Sequence, residues 1–142
     1  MSFIPVNTPD LSGNEKKYLI DCIDSNWISS EGPYVEKFET GFSEYIGTKF
    51  GVAVSSGTAA MDVLVDFLDL KAGDEVIVPS FTIVSVVAQI VRSGATPIFA
   101  DCDPNTWNIS VTEVERLFSA KTKAVIVVHT YGHPVDLDPI AS

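Results

Sequence analysis

The fold of this chain is decided by one stretch, Phe50-Gly51-Val52-Ala53-Val54-Ser55-Ser56-Gly57-Thr58-Ala59-Ala60. Its apolar first half, residues 50–54, predicts a short β-strand; the small hydroxylated residues after it predict a loop, and Ala59 predicts the start of a helix. The first turn of a helix carries free N–H groups and a partial positive charge, and a glycine lets an anion come close to them. The stretch is therefore equally consistent with a phosphate site at Gly57 and Thr58 and with simple helix capping by Ser56 or Thr58.

Length and composition indicate a globular protein with its own hydrophobic core. The chain has 142 residues, of which 46% are hydrophobic, and its apolar runs are shorter than the roughly 20 residues that a membrane span needs. The net charge of −10 argues against nucleic acid or an anionic membrane surface as a partner. The N-terminal residues do not have the pattern of a signal peptide, and the two cysteines, Cys22 and Cys102, make no disulfide framework. These features predict a reduced, cytoplasmic setting.

Helix-like and strand-like segments alternate along the chain. Capping boxes at Ser12 and Ser110 begin two of the predicted helices, Pro33 fits the first turn of another, and Gly47 ends that one. The predicted helices, with their caps, are 12–24, 33–46, 59–70, 81–91, 110–118 and 136–142, and the predicted strands are 50–54, 75–78, 96–100 and 123–128. Strands rich in Val and Ile and separated by helices predict an α/β fold, with a mostly parallel sheet covered on both faces.

Four groups of polar or small residues follow the predicted strands directly. In sheets of this kind ligands bind beyond the carboxyl ends of the strands, so these groups are expected to converge if their strands are neighbours. The groups are Ser55–Thr58, Ser80–Ile83, Asp101–Asp103 and His129–His133. Their common position favours the phosphate site over simple capping at Gly57 and Thr58.

The two histidines do not form a metal motif. His129 and His133 have the i, i+4 spacing of a helical metal pair, but Gly132 and Pro134 predict a turn there, and no carboxylate cluster completes a site. His129 is then either a positioning residue beside a ligand or a structural histidine held by a hydrogen bond. We predict no metal site in this sequence.

Four segments, taken together, give the chain a family resemblance. They resemble in order and spacing the nucleotide-sugar aminotransferases of the DegT/DnrJ type, and residues 27–32 and 131–134 look most like those of members that aminate a 4-keto-6-deoxy sugar nucleotide. The segments are Ser55-Ser56-Gly57-Thr58-Ala59-Ala60, Gly73-Asp74-Glu75-Val76-Ile77-Val78-Pro79-Ser80-Phe81-Thr82, Gly94-Ala95-Thr96-Pro97-Ile98-Phe99-Ala100-Asp101 and His129-Thr130-Tyr131-Gly132-His133-Pro134. The resemblance implies the aspartate-aminotransferase-like fold, which is fold type I of the pyridoxal-phosphate (PLP) enzymes.

The resemblance also implies a domain organisation and a set of partners. Residues 1–48 would be an N-terminal helical segment, and residues 49–142 would be part of the PLP-binding large domain, without its later strands and without the C-terminal small domain. The implied cofactor is pyridoxal 5′-phosphate, and the implied substrates are a nucleotide sugar and an amino donor, in this family glutamate. A homodimer is the implied assembly.

Site residues follow from the resemblance position by position. Gly57 and Thr58 match the loop that binds the cofactor phosphate. Ile83 matches the position that covers the pyridine ring, which is usually aromatic in the family, and an aliphatic side chain there forgoes the stacking contribution. The loop with Trp27, Ser29 and Ser30 either faces the sugar nucleotide or is a plain surface turn.

The family's Schiff-base lysine, and the carboxylate at its pyridinium nitrogen, lie in stretches that this chain does not contain. All seven lysines present are expected to be solvated surface residues: Lys16, Lys17, Lys37, Lys49, Lys71, Lys121 and Lys123. We therefore expect an N-terminal fragment of a longer aminotransferase, with no catalytic residue of its own and inactive alone. The alternative is a non-catalytic truncated paralogue that binds a nucleotide sugar or pairs with a full-length subunit.

The family's strand order implies a further consequence for stability. In that order the strand at 50–54 is separated from the next three by strands that this chain does not have. Unpaired backbone edges and exposed apolar faces would remain. The isolated chain is therefore predicted to be marginally stable, rearranged or prone to aggregation.

Overall fold

The computed structural model describes residues 3–141, which fall into two compact units divided between Ala53 and Val54. The first unit contains two helices, α1 (Glu15–Asp24) and α2 (Pro33–Ile46). The second contains three strands, β1 (Glu75–Pro79), β2 (Thr96–Ala100) and β3 (Thr122–Val125), and four helices, α3 (Gly57–Phe67), α4 (Val84–Ser93), α5 (Val111–Leu117) and α6 (Asp138–Ala141). None of the helices in the described part of the chain is long and apolar enough to cross a membrane.

The two helices of the first unit follow the sequence pattern closely, with one exception at a cap. Helix α2 begins with Pro33 and ends at Gly47, whose φ of 72° is the left-handed conformation that glycine adopts freely. Helix α1 begins after Asn14, so the predicted capping box at Ser12 is wrong. The Ser12 N–H donates to the Asp10 carboxylate at 3.0 Å, so Ser12 lies in a turn that precedes the helix.

A tyrosine–aspartate hydrogen bond joins α1 to α2. The Tyr34 hydroxyl donates to the Asp21 carboxylate at 2.9 Å, and the Tyr34 ring lies 5.0 Å from the Tyr18 ring. Because the neutral phenol is the form that donates, the bond raises the pKa of Tyr34 to about 12.

We expect Tyr34 to ionise at a higher pH than an ordinary tyrosine, because its pKa is raised to about 12. The stabilisation from its hydrogen bond is complete below the ordinary tyrosine pKa and is lost as the pH rises through about 12. The absorbance of tyrosinate, titrated in the wild type and in Tyr34→Phe, isolates this group as the difference between the two curves. A difference curve with its midpoint at the ordinary tyrosine value would contradict the bond.

The stretch from Phe50 to Val54 is not a β-strand, which corrects the expectation drawn from its apolar residues. A strand needs a neighbour to accept and donate ladder hydrogen bonds, and the described residues provide none here. Instead, the Ala53 N–H donates to a carboxylate oxygen of Glu39 at 2.7 Å, and the Thr48 hydroxyl donates to the Phe50 carbonyl at 3.2 Å. Side chains thus satisfy backbone groups that a sheet would otherwise use.

The second unit is built on a parallel sheet in the order β2-β1-β3. The central strand β1 is buried along its length after Glu75, and its side chains alternate between two cores. Val76 and Val78 pack with residues of α3 and α4, whereas Ile77 packs on the other side with Ile109 and with Val114 of α5. Helices therefore cover both faces, which confirms the predicted α/β arrangement.

Most element boundaries of the second unit agree with the sequence, and the differences have local causes. Helix α4 begins at Val84, three residues later than predicted, because Ile83 is extended, and it ends at Gly94 with a φ of 88°. Ser110 caps α5 by accepting from the Glu113 N–H at 3.4 Å. Helix α3 ends at Phe67, earlier than expected, because Asp69 takes a left-handed φ of 49°. Strand β3 ends at Val125, whereas the apolar pattern predicted a strand to residue 128.

Candidate functional site

An apolar groove lies just beyond the carboxyl ends of β1 and β3. It has a volume of about 400 Å³ and is lined by Phe81, Thr82, Ile83, Val128, Thr130 and Tyr131. The first three of these residues follow β1, and the last three follow β3 in the chain. The groove therefore occupies the edge where parallel α/β sheets bind ligands.

The structure brings some of the predicted strand-end groups together at this edge. The Ser80 N–H donates to the Ala100 carbonyl at 2.8 Å, and the Ser80 hydroxyl donates to the Asp101 carboxylate at 3.2 Å. Phe81 lies 6.4 Å from the Tyr131 ring, centre to centre. The groups after β1, β2 and β3 thus converge as the order of strands implies.

Ile83 is exposed and lines the groove at the start of α4. Its backbone is extended, with a ψ of 145°, so it stands just outside the helix as the residue before Val84. Its side chain is 69% exposed, and it contributes to the groove wall together with Phe81 and Thr82. An exposed isoleucine at a helix entry does little for the core, which leaves it free to contact a ligand.

The turn at Gly57 and Thr58 offers two free backbone donors. Ser56 caps α3 by accepting from the Ala59 N–H at 3.2 Å, so the capping role expected for this serine is real. The N–H groups of Gly57 and Thr58 precede the first intrahelical bond, and no acceptor within residues 3–141 takes them. A Cβ added to Gly57 would meet nothing within 4 Å, so space above the turn is open to an anion.

Helices α3 and α4 pack together. The loop that follows α3 lies beside the end of α4, because a Cβ on Gly94 would lie 3.5 Å from the Ala72 nitrogen. Arg92, near the end of α4, binds the Asp62 carboxylate in the middle of α3 at 3.1 Å. Helix α4 starts directly after the carboxyl end of β1, so its first turn lies at the edge that carries the groove. Helix α3 leads through residues 68–74 to the amino end of β1, so we expect its first turn on the same side. The groove lining itself includes Ile83 and neither Gly57 nor Thr58.

Two polar loop residues at this edge have structural partners. The His129 ring accepts from the Val135 N–H at 3.0 Å through Nδ1, the arrangement of a structural histidine. The Asp103 carboxylate accepts from the N–H groups of Asn105 and Thr106 at 2.8 and 3.0 Å. These bonds, the one from Asn105 first, hold the pKa of Asp103 below its ordinary value, and they close the turn at residues 104–106.

The other candidates from the sequence are the loop at residues 27–30, which lies in the first unit, and the side chains that could bind a metal ion. Trp27, Ser29 and Ser30 occupy the exposed connection between α1 and α2. Within residues 3–141 no group of three or more His, Cys, Asp or Glu side chains is placed to hold a metal ion. Both cysteines are free thiols.

The sequence placed Phe81, Thr130 and Tyr131 within the strand-end groups but did not single them out as lining residues, and it did not point to Asn108. A signal existed for Phe81 and Tyr131, because each is a large aromatic residue three positions after a predicted strand end. Asn108 offered no such signal, since its partners lie more than twenty residues away in sequence.

A helix turn with free donors, and an apolar groove at the carboxyl edge of a parallel sheet, are typical of α/β proteins that bind a phosphorylated flat cofactor. The model of the DegT/DnrJ/EryC1/StrS aminotransferase family matches residues 9–142, so the chain belongs to this family. Its aminotransferases depend on pyridoxal phosphate. The resemblance and the fold class drawn from the sequence are thereby confirmed.

Individual relatives cover nearly all of this chain. It is 46% identical over 140 residues to the GDP-perosamine synthase of Escherichia coli O157:H7, a match that covers 99% of this chain and 38% of the relative. The identity to the Vibrio cholerae GDP-perosamine synthase is 47% over 137 residues, covering 96% and 37%. A solved PLP form of a putative sugar aminotransferase from Streptococcus pneumoniae superposes with a TM-score of 0.85 at 33% identity, covering 97% and 35%. The chain thus spans little more than a third of the length of these relatives.

The described residues fit the cofactor in part. The open Gly57 turn suits a phosphate, and the groove suits a flat ring, but the second unit offers no lysine at the groove. Lys71 pairs with Asp69 at 3.1 Å, and Lys121 and Lys123 flank the first residue of β3, at the opposite edge of the sheet. The described part of the second unit thus has surfaces that suit the cofactor and no lysine amine at the groove.

Proposed function

We propose that this chain is the cofactor-binding part of a PLP-dependent aminotransferase that acts on a 4-keto-6-deoxy nucleotide sugar, in the manner of the GDP-perosamine synthases. The observation that carries the proposal is the pair of N–H groups at Gly57 and Thr58 that no acceptor within residues 3–141 takes, in a chain whose sheet also has an apolar groove at its carboxyl edge. A phosphorylated flat cofactor needs both kinds of surface.

Gly57 and Thr58 bind the cofactor phosphate through backbone donors. A phosphate dianion at the N-terminal turn of α3 replaces water on two N–H groups and faces the positive end of the helix dipole. The hydroxyls of Ser55 and Thr58 are exposed and available to the same anion. Binding at this turn fixes the position of the cofactor and leaves its ring toward the groove.

Ile83 covers one face of the cofactor ring. Its exposed side chain supplies apolar contact and excludes water, although it lacks the aromatic stacking energy of about 0.5–1.5 kcal/mol. When bound, pyridoxal phosphate supplies the electron sink that lets an amino group move between the amino donor and the keto carbon. The residues of this chain hold and orient the cofactor for that chemistry.

The chain alone is expected to be catalytically inactive. Transamination requires a lysine beside the cofactor as covalent anchor and proton carrier, and none of the lysines of the second unit stands at the groove. Catalysis therefore needs residues from outside this chain. The proposal is supported by the extent of the matched relatives, which are more than twice as long.

The substrates and the assembly are proposed from the same relatives. The sugar nucleotide would contact the exposed loop with Trp27, Ser29 and Ser30, and glutamate would be the amino donor. We place the protein in the cytoplasm as a homodimer, which agrees with its acidic composition and two free thiols.

The test is a binding titration with pyridoxal phosphate in the wild type and in Gly57→Ala. The new methyl group enters open space, so the substitution should keep or slightly raise the thermal stability. The same methyl group stands where a phosphate would approach the N–H donors. We therefore expect the affinity for pyridoxal phosphate to fall about tenfold, as for one or two lost charge-assisted hydrogen bonds. Equilibrium dialysis measures the affinity, and inorganic phosphate should compete.

Gly41→Ala is the matched control, because a Cβ on Gly41 also meets nothing within 4 Å and the residue lies inside α2. Equal affinity in Gly57→Ala and the wild type would refute the phosphate site. Borohydride reduction followed by mass spectrometry should label no single lysine. A chain that binds a nucleotide sugar and no pyridoxal phosphate would favour the non-catalytic paralogue.

A further inference from the structure

Two bulky aromatic residues have a backbone conformation that bulky residues rarely adopt. Four non-glycine residues in the described part of the chain have a positive φ, and two of them, Asn26 and Asp69, belong to types that tolerate it. The other two are Trp107, with a φ of 62°, and Tyr131, with a φ of 51°. Such strained residues persist only where their surroundings hold them, and they concentrate at functional sites.

The two strained residues meet at one place. The ring of Trp107 lies 5.2 Å from the ring of Phe81, and the ring of Tyr131 lies 6.4 Å from it on the groove side. All three rings remain exposed, so burial in a core does not account for their order. Phe81 and Tyr131 line the groove, and Trp107 supports Phe81 beside it.

Asn108 connects the two chain segments that carry Trp107 and Tyr131. It follows Trp107, is only 4% exposed, and its carboxamide oxygen accepts from the Thr130 N–H at 3.1 Å. Its carboxamide nitrogen donates to the carbonyls of His133 and Pro134 at 3.1 and 3.2 Å. These bonds connect the turn that carries Trp107 to the loop that carries Tyr131.

A second connection fixes the same pair of segments. The Thr130 hydroxyl donates to the Trp107 carbonyl at 3.3 Å, next to the Asn108 bond to the Thr130 N–H. Asn108 thus satisfies its own buried polar atoms by binding three backbone groups of the 129–135 loop. Removing the carboxamide would leave those groups without their partners and would release the strain at Trp107 and Tyr131.

We propose that Asn108 is a positioning residue of the candidate site, whose carboxamide holds Trp107 and Tyr131 around Phe81 and so builds the aromatic wall of the groove before a ligand binds. The role in ligand binding rests on the proposed function, because the groove is where we place the cofactor ring. The structural role of Asn108 stands independently of it.

The first experiment measures the order of the wall without any ligand. Near-ultraviolet circular dichroism should lose about half of its aromatic signal in Asn108→Ala, while the far-ultraviolet spectrum is retained. Amide hydrogen exchange in residues 129–135 should become about tenfold faster. An unchanged aromatic signal and unchanged exchange in a folded Asn108→Ala would overturn the proposal.

Asn108→Asp separates positioning from space filling. Aspartate has the shape of asparagine and keeps the acceptor for Thr130, but it places negative oxygen against the carbonyls of His133 and Pro134 in place of a donor. We expect it to resemble Asn108→Ala, whereas a residue that only fills space would leave it like the wild type. Asn105→Ala is the matched control, since Asn105 is exposed on the same turn and its backbone N–H and side chain bind the Asp103 carboxylate rather than the 129–135 loop.

The second experiment uses pyridoxal phosphate and inorganic phosphate as separate probes. Both Asn108 variants should bind pyridoxal phosphate about tenfold more weakly and bind inorganic phosphate as the wild type does, because only the former has a ring. Equal affinity of a ligand-binding wild type and its Asn108 variants for pyridoxal phosphate would overturn the proposal. If the wild type binds neither probe, the proposed function fails, and the spectra and exchange rates still decide the role of Asn108.

Discussion

Replacing Ile77 by alanine is expected to lower the free energy of unfolding of the second unit by about 2–5 kcal/mol. Ile77 is completely buried at the centre of β1, the middle strand of the sheet, and its side chain packs with Ala100, Ile109 and Val114. The truncation removes apolar contact and leaves a cavity that the surrounding strands cannot close. Because domains are stable by only about 5–15 kcal/mol, this loss is large.

Urea denaturation followed by far-ultraviolet circular dichroism measures the change. Ile83→Ala is the matched control, since it is the same substitution six residues later at a side chain that is 69% exposed. We expect it to cost less than about 0.5 kcal/mol in stability, as for other exposed positions. A smaller loss at Ile77 than at Ile83 would mean that the core is not organised around β1.

The sequence was most informative where local chemistry decides the structure. Strand β2 occupies Thr96–Ala100 as predicted, and the helices before Gly47 and Gly94 end where these glycines can adopt a positive φ. Ser110 caps its helix as expected. Each of these features depends on residues within a few positions of one another, and such signals are legible in a single sequence.

Other features depend on what lies beside a segment in space, and here the pattern was insufficient. The stretch at 50–54 has the apolar composition of a strand and forms none, because a strand exists only with a partner. The strained backbone of Trp107 and Tyr131 runs against the preference of their residue type, and the bonds from Asn108 that accompany it reach 22 to 26 residues along the chain. No local rule predicts a conformation that distant hydrogen bonds impose.

The isolated chain is expected to self-associate in a concentration-dependent manner. An apolar groove of about 310 Å³ runs between α3 and β3, lined by Leu64, Leu68 and residues 124–127 among others, and β3 is an edge strand with one unpaired side. Exposed apolar surface beside a free strand edge favours association of one chain with another. Sedimentation equilibrium should show a mean mass that rises with concentration, and a constant monomer mass with a cooperative thermal transition would contradict this expectation.

A charged side chain in the groove between α3 and β3 tests whether this groove causes the self-association. Leu64→Lys places an ammonium group on a half-exposed groove residue of α3, and burying it against a second chain would require its desolvation. We expect association to weaken by about tenfold or more, since each 1.4 kcal/mol changes an association constant tenfold. Asp66→Asn is the matched control, because it lies on the exposed side of the same helix and changes the net charge by the same one unit. If both variants change association equally, net charge governs it, because both bring the charge of −10 one unit closer to zero. If only Leu64→Lys weakens association, the contact is made through the groove between α3 and β3.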